Sequence, residues 1–91
     1  MKYPIAIEPG DEDHAWGVVV PDLPGCFSAA DSGIDEAIEN AKEAIAAWIE
    51  TVMDEGGDIP APTRIEAHRA NPEFAGWIWA VAEVDPAILD D

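Results

Sequence analysis

The chain has 91 residues, of which 48% are hydrophobic, and its formal net charge is −16. A chain of this length builds one compact core rather than two, and its four tryptophans argue against disorder. So negative a domain repels nucleic acid and anionic membranes and attracts basic partners, although the charge could also serve solubility alone. The sequence therefore predicts no direct nucleic-acid binding and no membrane association.

The single cysteine, Cys26, sets the expected compartment and limits the chemistry of the chain. One cysteine excludes both an intrachain disulfide and a cysteine-based zinc cluster, and it favours a reduced, cytoplasmic setting. No stretch approaches the roughly 20 apolar residues of a membrane span.

Two strands and an acidic turn are predicted at the start of the chain. Tyr3, Ile5 and Ile7 recur at the period of a strand, and Pro4 indicates an edge strand or a first ladder position. The turn-forming residues at 9–13 then lead into a second strand at 16–20. The prolines and glycine at 21–25 predict a bend, after which 26–29 form a short third strand.

A long helix is predicted between Ser32 and Gly57. Its apolar residues recur every three or four positions and are Ile34, Ala37, Ile38, Ala41, Ile45, Trp48, Ile49 and Val52. Ser32 is expected to be the N-cap, with Asp35 completing a capping box, and Gly56 and Gly57 are expected to end the helix.

The last third of the chain returns to the sheet. The prolines of 59–63 predict an irregular connection, residues 65–70 one or two helical turns closed by Asn71, and 76–84 a final strand. Both faces of that strand are apolar, so we expect the helix on one face and a partner, a second subunit or the returning loop on the other. Residues 1–85 are predicted to form the domain and 86–91 a polar tail.

These elements predict an α+β fold in which three strands are followed by one long helix and a final strand. The sheet is expected to have three or four mostly antiparallel strands, with the helix packed on one face.

The sequence lacks the patterns that are typical of catalytic and metal-binding sites. A metal-dependent nuclease needs clustered carboxylates, yet apolar residues occupy the strand centres. The acidic turn Asp11–His14 lacks the spacing of a calcium loop. Nothing pairs Cys26 with His14 or His68 as nucleophile and base, so a structural cysteine is favoured over a catalytic one. No catalytic residue, metal site or cofactor is predicted.

The chain carries, in this order, YPIAIE at 3–8, WGVVVPDLPGCF at 16–27, the pattern SxxDEAxxNAKEA at 32–44, and Ile59, Pro60 and Pro62 after the helix. The order of these motifs resembles that of HicB-type antitoxins of type II toxin-antitoxin systems. The resemblance covers roughly residues 3–63, and the strand-PDLPGC-helix combination is its most specific part.

The resemblance implies a partial RNase H-like fold that has lost its nuclease site, in agreement with the apolar strand centres. It also implies a partner, HicA, a small basic toxin that cleaves mRNA and whose active surface the antitoxin covers. Members of the family usually carry a C-terminal DNA-binding segment; we expect none within these 91 residues, so operator binding and the dimerisation that such a segment provides stay open.

An acidic domain that covers a basic toxin should meet it through its exposed acids and its most distinctive bend. The residues expected to face the partner are Asp11, Glu12, Asp13, Asp22, Leu23, Pro24, Gly25, Glu36 and Glu43. Two alternatives remain open: a metal-dependent RNase H-like nuclease using an acid such as Asp22 or Asp31, and an orphan protein- or ligand-binding domain. A homo-oligomer could form through an edge strand or through Trp77 and Trp79.

Overall fold

Four strands and one long helix form the domain in the computed structural model, which describes residues 1–85. The strands are β1 (Lys2–Glu8), β2 (Trp16–Val19), β3 (Phe27–Ala30) and β4 (Ile78–Glu83), and the helix α1 is Ile34–Asp54. The predicted α+β fold and its order of elements are confirmed. The predicted tail at 86–91 lies outside the described residues.

The strand order across the sheet is β3-β2-β1-β4, and all neighbours are antiparallel. β1 is therefore central and Pro4 is its third residue, so both positions predicted for Pro4, an edge strand and a first ladder position, are wrong. Met1 and Val84 form a hydrogen-bonded pair, because each donates its backbone N–H to the carbonyl of the other. Hydrogen-bonded and non-hydrogen-bonded pairs alternate along an antiparallel ladder, so Pro4 and Val81 form a non-hydrogen-bonded pair. The position of the missing Pro4 N–H therefore faces the β2 side of the strand, where the ladder with β2 begins only at Ala6.

The hydrophobic core lies between α1 and one face of the sheet. Tyr3, Ile5 and Ile7 are completely buried on that face, as the strand period predicts. The helix contributes its predicted stripe, of which Ala37, Ala41, Ile45 and Ile49 are fully buried. The other members of the core include Val18, Val20, Leu23, Cys26, Ala30, Ala82 and Val84.

The start of α1 differs from the prediction. Gly33 is the N-cap residue with φ 140°, and no side chain caps it. Instead, the carboxylate of Glu36 reaches back to accept hydrogen bonds from the Asp31 N–H, at 3.0 Å, and from the Ser32 hydroxyl. Because Gly33 turns the chain, Ser32 lies one residue outside the cap position, and Glu36 takes the part expected of Asp35.

The end of α1 follows the prediction. Gly56 adopts φ 74°, the left-handed conformation that glycine tolerates best. The Gly56 N–H donates to the Met53 carbonyl at 3.1 Å, and the Gly57 N–H donates to the Val52 carbonyl at 2.9 Å. This pair of bonds is the Schellman arrangement, which satisfies two carbonyls of the last turn.

The face of the sheet opposite α1 is covered by the returning chain, residues 59–77, which we call the return segment. Trp79 of β4 packs against Phe74 with ring centroids 5.5 Å apart, and stacks on His68 at 6.3 Å. Of the three coverings expected for β4, the structure thus shows the returning loop. The predicted helical turns are two short 3₁₀ turns, Ile65–Ala67 and Pro72–Phe74, and Asn71 caps the second rather than closing the first.

Candidate partner-binding surface

One edge of the sheet carries most of the features that a partner could bind. We define the β3-edge surface as Pro24, Gly25, Phe27 and Ala29 together with the adjoining side of α1, from Glu36 to Glu55. Phe27 is the most exposed large hydrophobic residue of the described chain, with 64% of its surface accessible. A phenylalanine this exposed on an edge strand is a candidate anchor for another protein.

An open groove runs along this surface between the bend and the C-terminal half of α1. Its volume is about 470 Å³, and its walls include Phe27, Ala44, Ala47, Trp48, Val52 and Glu55. The helix residues 44 and 47 in this wall are alanines, and the acidic residue Glu55 also lines the groove. The groove therefore combines an apolar floor with negative charge.

The bend at 21–25 is tied to both the sheet and the helix. The Trp48 indole N–H donates to the Pro24 carbonyl at 3.0 Å, which joins the bend to α1. Pro24 and Gly25 are exposed, as their predicted role requires. Leu23 is completely buried, and its side chain packs in the core. The prediction that the Leu23 side chain faces a partner is therefore wrong.

Asp22 lies inside a polar cluster rather than on the surface. Its side chain is only 5% exposed and accepts two hydrogen bonds from Thr63, one from the N–H and one from the hydroxyl, both at 2.7 Å. His68 Nε2 lies 2.7 Å from the Thr63 hydroxyl and 3.1 Å from Asp22 Oδ1. Because the carboxylate only accepts, these distances fit a His68 that is protonated on Nε2.

The cluster joins the bend to the return segment, which explains why Asp22 is buried. The sequence gives no local signal for it, since Asp22 and Thr63 are far apart along the chain. A further anchor lies close by, where the Tyr3 hydroxyl donates to the Pro60 carbonyl at 2.7 Å. Burial and the nearby Asp22 carboxylate raise the pKa of Tyr3, which keeps this hydroxyl protonated as a donor.

The acidic turn lies at the other end of β3 from the bend. Asp11 accepts hydrogen bonds from the Asp13 N–H at 2.8 Å and from His14 Nδ1 at 3.0 Å, and these bonds lower the pKa of Asp11. Asp11, Glu12 and Asp13 are exposed, and with Asp31 they line a small polar cavity of about 240 Å³. The turn and the start of α1 therefore bring several carboxylates to one end of the β3-edge surface.

The two predicted helix acids differ in their roles. Glu36 is exposed, but its hydrogen bonds with Ser32 and the Asp31 backbone lower its pKa and hold it at the helix start. Glu43 is exposed beside the groove residue Ala44, without a bond to any other described side chain. Glu43 is thus the better placed of the two to meet a partner.

Sequence reasoning missed the exposure of Phe27 and the contact made by Asn40. Phe27 directly follows the buried Cys26 in the motif, and alternation in a strand could have assigned it to the outer face. The Asn40 amide donates to the Ala29 carbonyl at 2.9 Å, which fixes the helix to the edge strand.

The acidic residues and the single cysteine of the described chain bear on metal binding and thiol chemistry. Within residues 1–85, no three His, Cys, Asp or Glu side chains are placed to hold one metal ion. Cys26 is buried, and burial raises the pKa of its thiol, which disfavours the reactive thiolate. No helix in this part of the chain is long and apolar enough to cross a membrane.

The four-stranded antiparallel sheet with one long helix is the fold of an antitoxin class. The family model of the HicB-like antitoxin of bacterial toxin-antitoxin systems matches residues 3–91. The chain belongs to this family. A 14.9 kDa protein of Haemophilus phage HP1, from its rep-hol intergenic region, is 42% identical over 85 residues. The alignment covers 93% of this chain and 62% of that relative, so the chain spans about three-fifths of its length.

Solved structures resemble the chain over almost its whole length. The N-terminal domain of the Burkholderia pseudomallei antitoxin HicB is 40% identical with a TM-score of 0.79, and the match covers 93% of this chain and 99% of that one. A chain of the HicA3 and HicB3 toxin-antitoxin complex is 32% identical with a TM-score of 0.78, covering 94% of this chain and all of the other.

Proposed function

We propose that this chain neutralises a small basic, mRNA-cleaving toxin of the HicA type in the cytoplasm by binding the toxin's active surface and excluding RNA from it. The observation that carries the proposal is the match to a chain of the HicA3 and HicB3 complex, at 32% identity over 94% of this chain. Membership of the HicB-like antitoxin family supports the same role.

The electrostatics of the chain support this mode of action. A net charge of −16 attracts a basic protein, and the carboxylates of the acidic turn are exposed near the start of α1. Carboxylates on such a surface can occupy positions that RNA phosphates would take on a basic ribonuclease. The antitoxin thus acts by binding, and needs no reactive group of its own.

The first experiment measures association with a purified small basic toxin of the HicA type. Replacing Asp11, Glu12 and Asp13 together by lysine should slow association at least tenfold at low salt, because rim charges mainly steer encounter. A matched triple change of Glu66, Glu73 and Glu83 to lysine, on exposed positions of the return segment and β4, alters net charge equally. If both variants associate at the same rate, the acidic turn is not part of the interface.

The second experiment separates binding from catalysis. The purified chain should leave RNA intact in Mg²⁺ or Mn²⁺, and it should protect RNA from the toxin in proportion to its concentration. RNA cleavage by the chain alone, lost in Asp31→Asn, would favour the nuclease alternative. A failure to bind any HicA-type toxin would favour an orphan binding domain.

A further inference from the structure

The backbone of β3 is open to strand pairing on the side away from β2. The Val20 N–H donates to the Cys26 carbonyl at 3.1 Å, and hydrogen-bonding residues alternate along an antiparallel ladder. Ser28 and Ala30 therefore bond to β2, while the backbone groups of Phe27 and Ala29 point outward. Asn40 occupies the Ala29 carbonyl, which leaves the two outward N–H groups and the Phe27 carbonyl for a partner.

An apolar site lies directly beside these groups. Phe27 is 64% exposed, and together with Ala44, Ala47 and Trp48 of α1 it is one of the residues that line the groove of about 470 Å³. A strand added to an edge gains affinity from main-chain hydrogen bonds and specificity from pockets for its side chains. β3 offers both within a few residues.

The charges around the two sheet edges differ and indicate which kind of partner fits. Glu55 lines the groove at β3, and Glu43 is exposed beside it, whereas Lys42 is 3.3 Å from Glu39 on its own helix. At the opposite edge, Lys2, Arg64 and Glu66 line one cavity with Val81 of β4, and Lys2 is 4.0 Å from Glu83, so the charges there balance. A basic segment is therefore favoured at β3 rather than at β4.

We infer that a strand of the basic toxin pairs with the β3 edge and seats an apolar side chain in the groove beside Phe27. Its basic side chains then face Glu43 and Glu55. This inference rests on the proposed function and specifies how the toxin binds. A second copy of the chain is the weaker occupant, because two chains of net charge −16 repel each other.

The main test blocks the edge with proline. In Ala29→Pro the outward N–H is lost and the ring projects towards the incoming strand, while the bonds of Ser28 and Ala30 to β2 remain. Val81→Pro is the matched control, because the Val81 N–H also points outward, on the β4 edge. We expect Ala29→Pro to weaken toxin binding at least tenfold in calorimetric titration and Val81→Pro to stay within twofold of wild type.

A second pair of variants keeps the inference testable if a proline disturbs folding. Phe27→Ser removes the apolar anchor, and Val81→Ser removes a side chain that is 46% exposed on the other edge. Both changes lie on the surface, so circular dichroism and thermal melting should show folded proteins. Phe27→Ser should bind at least tenfold more weakly, mainly through faster dissociation, and Val81→Ser should bind as wild type does.

The outcomes separate this inference from the proposed function. If wild type binds the toxin and Ala29→Pro and Phe27→Ser bind equally well, pairing at β3 is wrong and the antitoxin function stands. If wild type does not bind the toxin, both the proposed function and the inferred strand pairing are wrong. If size-exclusion chromatography shows a dimer of the chain that Ala29→Pro dissolves, the edge serves self-association and the inference is overturned.

Discussion

The two faces of the sheet are covered in different ways. On one face, α1 lays a stripe of fully buried residues such as Ile45 and Ile49 against the strands. On the other, the return segment is held by a few aromatic contacts around Trp79 and by the polar cluster of Asp22 and Thr63. The first covering depends on area removed from water, and the second on a small number of specific bonds.

This difference separates the stability of the domain from the order of its return segment. Loss of one buried side chain on the helix face should weaken the whole fold, because the core is shared by all the elements. Loss of one polar bond on the other face should first release a local segment, because few contacts hold it. The predictions below test that contrast in order of expected effect.

The largest effect is expected for Ile45→Ala. Ile45 is completely buried between α1 and the sheet, so the change leaves a cavity and should lower the free energy of unfolding by about 3 kcal/mol. Urea denaturation measures it. Ile34→Ala is the control on the same helix, since Ile34 is 36% exposed and should change stability by less than about 1 kcal/mol. Equal losses in the two variants would contradict the assignment of the core.

A smaller and more local effect is expected for Asp22→Ala. The change removes the acceptor of both Thr63 bonds and should cost about 2 kcal/mol, since the Thr63 N–H and His68 lose a charged partner. Hydrogen exchange should accelerate in the return segment more than in α1. Glu66→Ala, at an exposed position of the same segment, should change neither the free energy of unfolding nor the rate of hydrogen exchange in the return segment.

The same variant tests the role that the sequence predicts for Asp22. If the carboxylate is structural, Asp22→Ala loses stability but keeps most of its affinity for the toxin at a temperature where it is folded. A large loss of affinity in the folded variant, without faster exchange in the return segment, would instead support a direct contact with the partner.

The smallest effect is expected at the exposed start of α1. The folded-state pKa of Glu36 lies below its ordinary value of 4.5, because Ser32 and the Asp31 backbone donate to its carboxylate. Its contribution to stability is therefore complete above that value and is lost as pH falls through the folded-state pKa. Thermal melting should show Glu36→Gln slightly less stable than wild type at neutral pH, with the difference vanishing in acid. A difference that persists below the folded-state pKa would contradict this role.

Most of the fold could be predicted from the sequence because the relevant signals are periodic and local. The stripe from Ile34 to Val52 predicts the helix and its buried face, and alternation predicts β1 and β4. The errors concern single positions. Pro4 is tolerated in the central strand β1 because it forms a non-hydrogen-bonded pair with Val81, so the ladder with β4 does not need a Pro4 N–H. Strand periodicity does not reveal that register.

The candidate site was less predictable because its geometry depends on contacts between distant segments. The local sequence around Asp22 predicts an exposed acid in a turn, whereas in the fold Thr63 and His68 lie against its carboxylate. Phe27 belongs to an apolar motif in the sequence, and its exposure becomes apparent only from the strand order, which places β3 at an edge of the sheet. The acidic turn, Pro24, Gly25 and Glu43 are exposed as the sequence predicts, and their contact with a partner stays a prediction.

The mutual hydrogen bonds of Met1 and Val84 have a practical consequence for tethering the molecule. They place the amino terminus at the start of β1, beside the end of β4, with β2 between it and β3. At about 4.8 Å per strand spacing, β1 is roughly 10 Å from β3 across the sheet, and Met1 is five residues, roughly 17 Å, along β1 from Ala6, which lies level with Phe27. A biotin or fluorophore attached through a short amino-terminal linker therefore leaves Phe27 and its groove free, which makes surface-immobilised measurements on this chain practicable.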